Sequence, residues 1–212
     1  MLHYRLLFLN KKTFMTAAVG ALILRPASMI LMAVAESPEL TIFTVVSGLL
    51  NLLLCAGLIF AWRKEDMIRI SGLVAGILLV ELCHYTYLSE QNISIGVDTI
   101  VSMGLVRCMM LSSYLMICFI ILLSTYNHFT IFLGKQSGRT KLIANQISIC
   151  VLMFCFLMLT VENWLIDDSL LRQAAGAAGC LSDLCLFTAI ACCELFLTVD
   201  GGALTANRRR GE

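Results

Sequence analysis

Charge is scarce in this chain. Only 14% of its 212 residues are Asp, Glu, Lys or Arg, against 59% hydrophobic residues, which leaves too little polar material to coat a water-soluble globule. Lipid is therefore the solvent that the composition anticipates. Proline is scarcer still, at two residues, and no segment combines weak hydrophobicity with high charge, so disorder is not expected. Only the Ala/Gly run Ala174 to Gly179 is low in complexity. Lysines and arginines are scattered in small groups between apolar stretches, not gathered on one face, and this excludes nucleic acid as a partner.

Chemical motifs are missing as well. The ten cysteines contain no Cys-x-x-Cys spacing, so zinc-ribbon and thioredoxin-like chemistry have no support. All ten lie inside apolar stretches, where free cysteine behaves as a small buried hydrophobe, and a disulfide framework is not expected. There is no Gly-x-Ser-x-Gly, no His-Glu-x-x-His and no glycine-rich phosphate loop before a helix. Cys83 and His84 are sequence neighbours, but adjacent helical residues point about 100° apart and cannot form a nucleophile-base pair with each other. No motif names a catalytic residue, a metal or a cofactor.

What is present is a series of long apolar runs. A helix needs roughly 20 apolar residues to cross a hydrocarbon core, and six stretches qualify: Thr13 to Ala35, Leu40 to Trp62, Met67 to Leu88, Thr99 to Ser124, Leu142 to Val161 and Leu170 to Val199. The expected fold is all-α, a six-transmembrane-helix bundle spanning residues 13–199, with an N-terminal segment 1–12 and a basic tail 200–212. A closed β-barrel would need short alternating segments, which runs such as Leu49 to Phe60 do not supply.

Basic residues alternate by side along these spans. Arg5, Lys11 and Lys12, then Arg63, Lys64 and Arg69, then Lys135, Arg139 and Lys141, then Arg208, Arg209 and Arg210 fall on one side. The other side holds Arg172 with the acids Glu36, Glu39, Glu90, Asp98, Glu162, Asp167 and Asp168. Retention of Lys and Arg in the cytoplasm then places both termini there, in a plasma (cytoplasmic) membrane. Trp62 and Tyr126 at inner ends, with Tyr85, Tyr87 and Trp164 at outer ends, fit interfacial aromatic belts. Ser37 and Pro38 read as the N-cap and first position of the second span, and Asp200-Gly201-Gly202 as the stop of the last. The stretch around Ile131-Phe132-Leu133 reads as either an interfacial segment or a loop. Ala33-Val34-Ala35 has the form of a signal-peptidase site, but the preceding apolar region is long and interrupted by Arg25-Pro26, so the segment is read as a span.

The informative residues are those that lipid should exclude: Arg25 in the first span, Glu81 and His84 in the third, Arg107 in the fourth, and Asp183 and Glu194 in the sixth. A centrally placed charge costs about 2.5 to 3.5 kcal/mol on insertion scales, so such side chains face the bundle interior and find partners. A rise of about 1.5 Å per residue puts Arg25, Glu81, His84, Arg107 and Asp183 at overlapping depths, as two bases against two acids. They are the candidate ligand-binding or proton-relay set. Their competing role is a group of mutually neutralised pairs that fixes which helices pack together. Pro26 beside Arg25 is expected to break or kink its helix by removing the amide that would bond the Leu22 carbonyl. Glu194 lies close enough to the cytoplasmic end to snorkel.

Asn51, Ser102, Ser112, Ser113, Tyr114, Asn145, Gln146 and Ser182 are expected to bond across helices, and Gly72/Gly76 and Ala175/Gly179 to allow close approach, within the bundle or in a homodimer. The expected function is a small membrane transport or substrate-binding subunit for a small polar or charged solute, with coupling to protons through the acidic residues. The alternative is a noncatalytic sensor, regulatory or assembly subunit that meets a protein partner at its basic cytoplasmic loops, surrounded in either case by membrane lipids.

Overall fold

The computed structural model of the protein describes residues 11–36, 40–93, 104–132, 139–166 and 169–210. Among these there are six α-helices and no strand: α1 Lys11–Val34, α2 Ile42–Arg63, α3 Met67–Ile93, α4 Gly104–Phe132, α5 Arg139–Ile166 and α6 Leu170–Arg210. Four of them, α1, α2, α3 and α6, contain described apolar stretches long enough to cross a membrane. In α4 and α5 the described apolar stretches are shorter, Leu111–Tyr126 and Cys150–Glu162.

Each helix packs against its neighbour in sequence, and α6 returns to pack against α1, so the six form a closed ring. Across the middle of the ring α3 also touches α6. The α1/α6 contact is the most extensive because both faces are lined with small residues. Ser28 Oγ donates to the Ala175 carbonyl at 2.9 Å, Ser182 Oγ donates to the Ala21 carbonyl at 3.5 Å, and a methyl group added at Gly179 would lie 3.1 Å from Ser28 Oγ. Ala175 and Gly179 are thus used for close approach within the chain. Gly76 likewise faces Leu54 of α2, whereas Gly72 has open space in front of it.

The helix ends depart from the sequence expectation in three places. Thr41 is the N-cap of α2, its hydroxyl accepting from the Thr44 amide at 3.2 Å; Ser37 and Pro38, expected in that role, lie outside the described residues. A threonine oxygen satisfies an orphan amide as a serine would, three residues further on. The last helix does not stop at Asp200-Gly201-Gly202 but continues to Arg210. Each glycine disfavours helix by about 1 kcal/mol, yet prolonging an existing helix requires no new nucleus, so the pair is absorbed. Finally, α4 runs on through Ile131 and Phe132 instead of giving way to a loop after Tyr126.

Between α2 and α3 the chain turns in three residues. The Asp66 amide donates to the Ala61 carbonyl and the Glu65 amide to the Trp62 carbonyl, both at 3.1 Å, which is the Schellman arrangement that satisfies terminal carbonyls. Glu65 occupies its left-handed position with φ 54°. Asp66 then starts α3 by accepting from the Arg69 amide at 3.2 Å and pairing with the Arg69 guanidinium at 2.9 Å.

Candidate functional site

Four helices of the ring converge on one buried polar cluster. From α1 comes Arg25, from α2 Asn51, from α3 Glu81 and Tyr85, and from α6 Asp183. Residues 81 and 85 are one turn apart and therefore share a face. Arg25 Nη2 donates to Glu81 Oε1 at 2.5 Å and stands 2.8 Å from Asp183 Oδ1. Asn51 Nδ2 donates to the same Glu81 oxygen at 2.5 Å, and the Tyr85 hydroxyl donates to Asp183 Oδ2. Glu81 is fully buried and Asp183 is 4% exposed, so these carboxylates have exchanged water for one another's partners.

The expected pairing of two bases with two acids takes a different form. Arg25 alone bridges both carboxylates, which its planar, multiply donating guanidinium is suited to do. The Arg107 side chain lies outside the described residues, although its backbone belongs to α4. His84 is buried one turn from Glu81 and pairs through Nδ1 with Ser47 Oγ of α2 at 3.2 Å. Its edge meets the Tyr85 ring at a centroid distance of 5.4 Å. Pro26 does not end α1, which is helical on both sides of it. Loss of one backbone bond is tolerated where neighbouring helices pack densely around the position, as α6 does here.

Beside the cluster is a cavity of about 70 Å³. Arg25, Thr44, His84, Tyr85 and Asp183 give it polar walls, and Met29 and Met32 of α1 contribute adaptable apolar ones. It lies toward the end of the bundle opposite Lys11, Arg63 and Lys64. In the direction of that basic end an aromatic layer follows: Phe14 stacks on Trp62 at 4.2 Å, Trp62 meets Phe196 at 4.8 Å, and Ala17, Ala18, Cys55, Leu58, Cys192 and Cys193 are buried in the same part of the bundle, with Glu194 the buried charged residue beside them. A small void of about 10 Å³ is lined by Arg25, Asn51, Cys55 and Ser182 among others.

Several roles are corrected by these positions. Trp62 is not an interfacial aromatic but part of the aromatic layer, and Tyr85 is 3% exposed inside the cluster, because its hydroxyl has a carboxylate to bond. Trp164 and Tyr126 do face outward. Glu194 does not reach the interface; it is 4% exposed and sits on the inward face of α6 with Cys192, Cys193 and Leu195. Glu162 belongs to α5, not to a connection, and is buried with Ser113 Oγ of α4 donating to its Oε1 at 3.3 Å. Asn51 bonds across helices as expected, though it was not placed in the charged set. Tyr85 is the member of the cluster that sequence reasoning read as interfacial, and its spacing from Glu81 was the available signal.

No protein-family model, curated protein or solved structure matches this chain.

Proposed function

We propose that the chain is a six-span membrane protein with both termini in the cytoplasm, and that it binds a small polar or charged solute for transport at the Arg25, Glu81, His84, Asp183 cluster. The observation that carries this reading is the cavity itself, which brings a guanidinium, a carboxylate, an imidazole and four hydroxyls to one pocket in a largely apolar bundle. Intramembrane ionisable groups are costly, and their convergence on a cavity is how solute and ion paths are built. The basic end supports the orientation, since Lys11, Lys12, Arg63, Lys64 and Arg69 lie together there.

A second reading is favoured by one specific feature. The Phe14, Trp62 and Phe196 rings stack on the basic side of the cluster, an obstacle to a continuous polar path that suits a pocket used by a sensor or assembly subunit. The two separate in liposomes. Purified protein reconstituted around a pH-sensitive dye should pass protons under an imposed membrane potential, and Asp183→Asn should reduce the rate at least tenfold. No flux from folded wild-type protein, together with a partner that copurifies from native membranes, would favour the second reading.

A further inference from the structure

The hydrogen-bond inventory of the cluster does not close, and the shortfall is localised. Asp183 Oδ2 accepts from Tyr85, and Oδ1 takes no hydrogen bond but stands 2.8 Å from Arg25 Nη2 as an ion pair. Glu81 Oε1 takes two donors, Arg25 and Asn51. Glu81 Oε2 and Asn51 Oδ1, both buried, take none. These two orphaned acceptors belong to groups already joined by one hydrogen bond of 2.5 Å. Charge points the same way, because among the described residues two carboxylates face a single guanidinium, which leaves one negative charge over.

We propose that Glu81 is a proton-binding site of this protein, with the proton held on Oε2 and offered to Asn51 Oδ1. A carboxylic acid and a primary amide complement each other as donor and acceptor on both edges. One proton supplies the missing donor for both orphaned atoms and removes the uncompensated charge in the same step. Arg25 is then left with a full ion pair to Asp183. Glu81 is chosen over Asp183 because Asp183 Oδ1, which also takes no hydrogen bond, has the Arg25 guanidinium 2.8 Å away, whereas the Arg25 contact to Glu81 is made through Oε1 and the second orphaned acceptor, Asn51 Oδ1, belongs to the amide already bonded to Glu81. The titratable and charged groups around it are Arg25 on α1, Cys55 on α2, His84 and Tyr85 on its own helix, Tyr114 on α4, and Cys180 and Asp183 on α6. Among these described groups none supplies a second positive charge to Glu81 Oε2, and the Arg25 guanidinium is already shared. The void beside Asn51 admits at most a single water. Such a water could donate to Asn51 but would not cancel the charge.

The proposal deepens the solute-binding reading and rests on it for the site, but not for flux. It is tested on the full chain in detergent at neutral pH by infrared spectroscopy in H2O and D2O. Wild-type protein should show the carbonyl band of a protonated carboxylic acid that shifts on deuteration. The band should vanish in Glu81→Gln and persist in Asp183→Asn. Its absence from wild type, as expected if a bound water alone occupies the site, or its survival in Glu81→Gln, overturns the assignment.

Should Asp183→Asn fail to fold, melting against pH decides. Glutamine mimics the protonated acid, donating from Nε2 and accepting at Oε1, so Glu81→Gln is expected to fold. Unfolding of wild type at neutral pH exposes Glu81 to water, where it ionises and releases its proton. The folded state thus binds more protons, and the wild-type melting temperature falls as pH rises. Glu81→Gln lacks this contribution, so its advantage over wild type should widen with pH; parallel curves would overturn the proposal. Flux without the acid band would retain solute binding and discard the proton, and the band without flux would do the reverse.

Discussion

Arg25 is the residue whose loss should be felt most widely, because it is the one described base between two buried acids on two other helices. Truncating one member of a buried ion pair leaves its partners charged and unsatisfied, at a cost of about 3 to 5 kcal/mol. Arg25→Ala should lose that much in denaturant unfolding in detergent micelles. Arg25→Lys should recover only part of it, since an ammonium is more strongly hydrated than a guanidinium and less suited to a buried site between two carboxylates. The residues that lipid should exclude were legible in the sequence, and three of them do meet: Arg25, Glu81 and Asp183. What was not legible was the ratio of bases to acids in contact, because depth along a helix says nothing about rotation around it. The same gap hid Tyr85, which looks like an interfacial tyrosine until its partner on α6 is known.

At the scale of elements, apolar run length located all six helices, since in lipid the backbone must satisfy itself and a long apolar run has little alternative to helix. The ends were less legible, because capping choices differ by fractions of the energy that drives the span. Glu65 illustrates this. It holds a left-handed conformation usually given to glycine, and Glu65→Gly should stabilise the α2/α3 turn by about 0.5 to 1 kcal/mol in denaturant unfolding. The α1/α6 contact makes the opposite demand. A side chain at position 179 points at Ser28, with even the first carbon at 3.1 Å, so Gly179→Leu should destabilise the bundle by about 1 to 3 kcal/mol. Loss of the Ser28 to Ala175 hydrogen bond would accompany it, and slower amide exchange in wild type than in the variant at these positions would be the sign.

For the whole molecule, the ring divides unevenly. The described polar cluster belongs to α1, α2, α3 and α6, whereas α4 and α5 contribute the separate Ser113 and Glu162 contact. An aromatic seal at Phe14, Trp62 and Phe196 lies on the basic side of the cluster. Removing the indole should breach it: Trp62→Ala is expected to cost about 3 to 5 kcal/mol and to raise passive proton leak in liposomes several-fold over wild type. The short turn at Lys64 to Asp66 has a mechanical consequence for that bundle. It makes α2 and α3 a single hairpin, so Asn51 and Glu81 travel as one piece, while small-residue packing makes α1 and α6 another. Any rearrangement that widens the pocket must part these two pieces along the seam that Arg25 straddles, and the arginine's hold on Glu81 is then the latch that has to be released first.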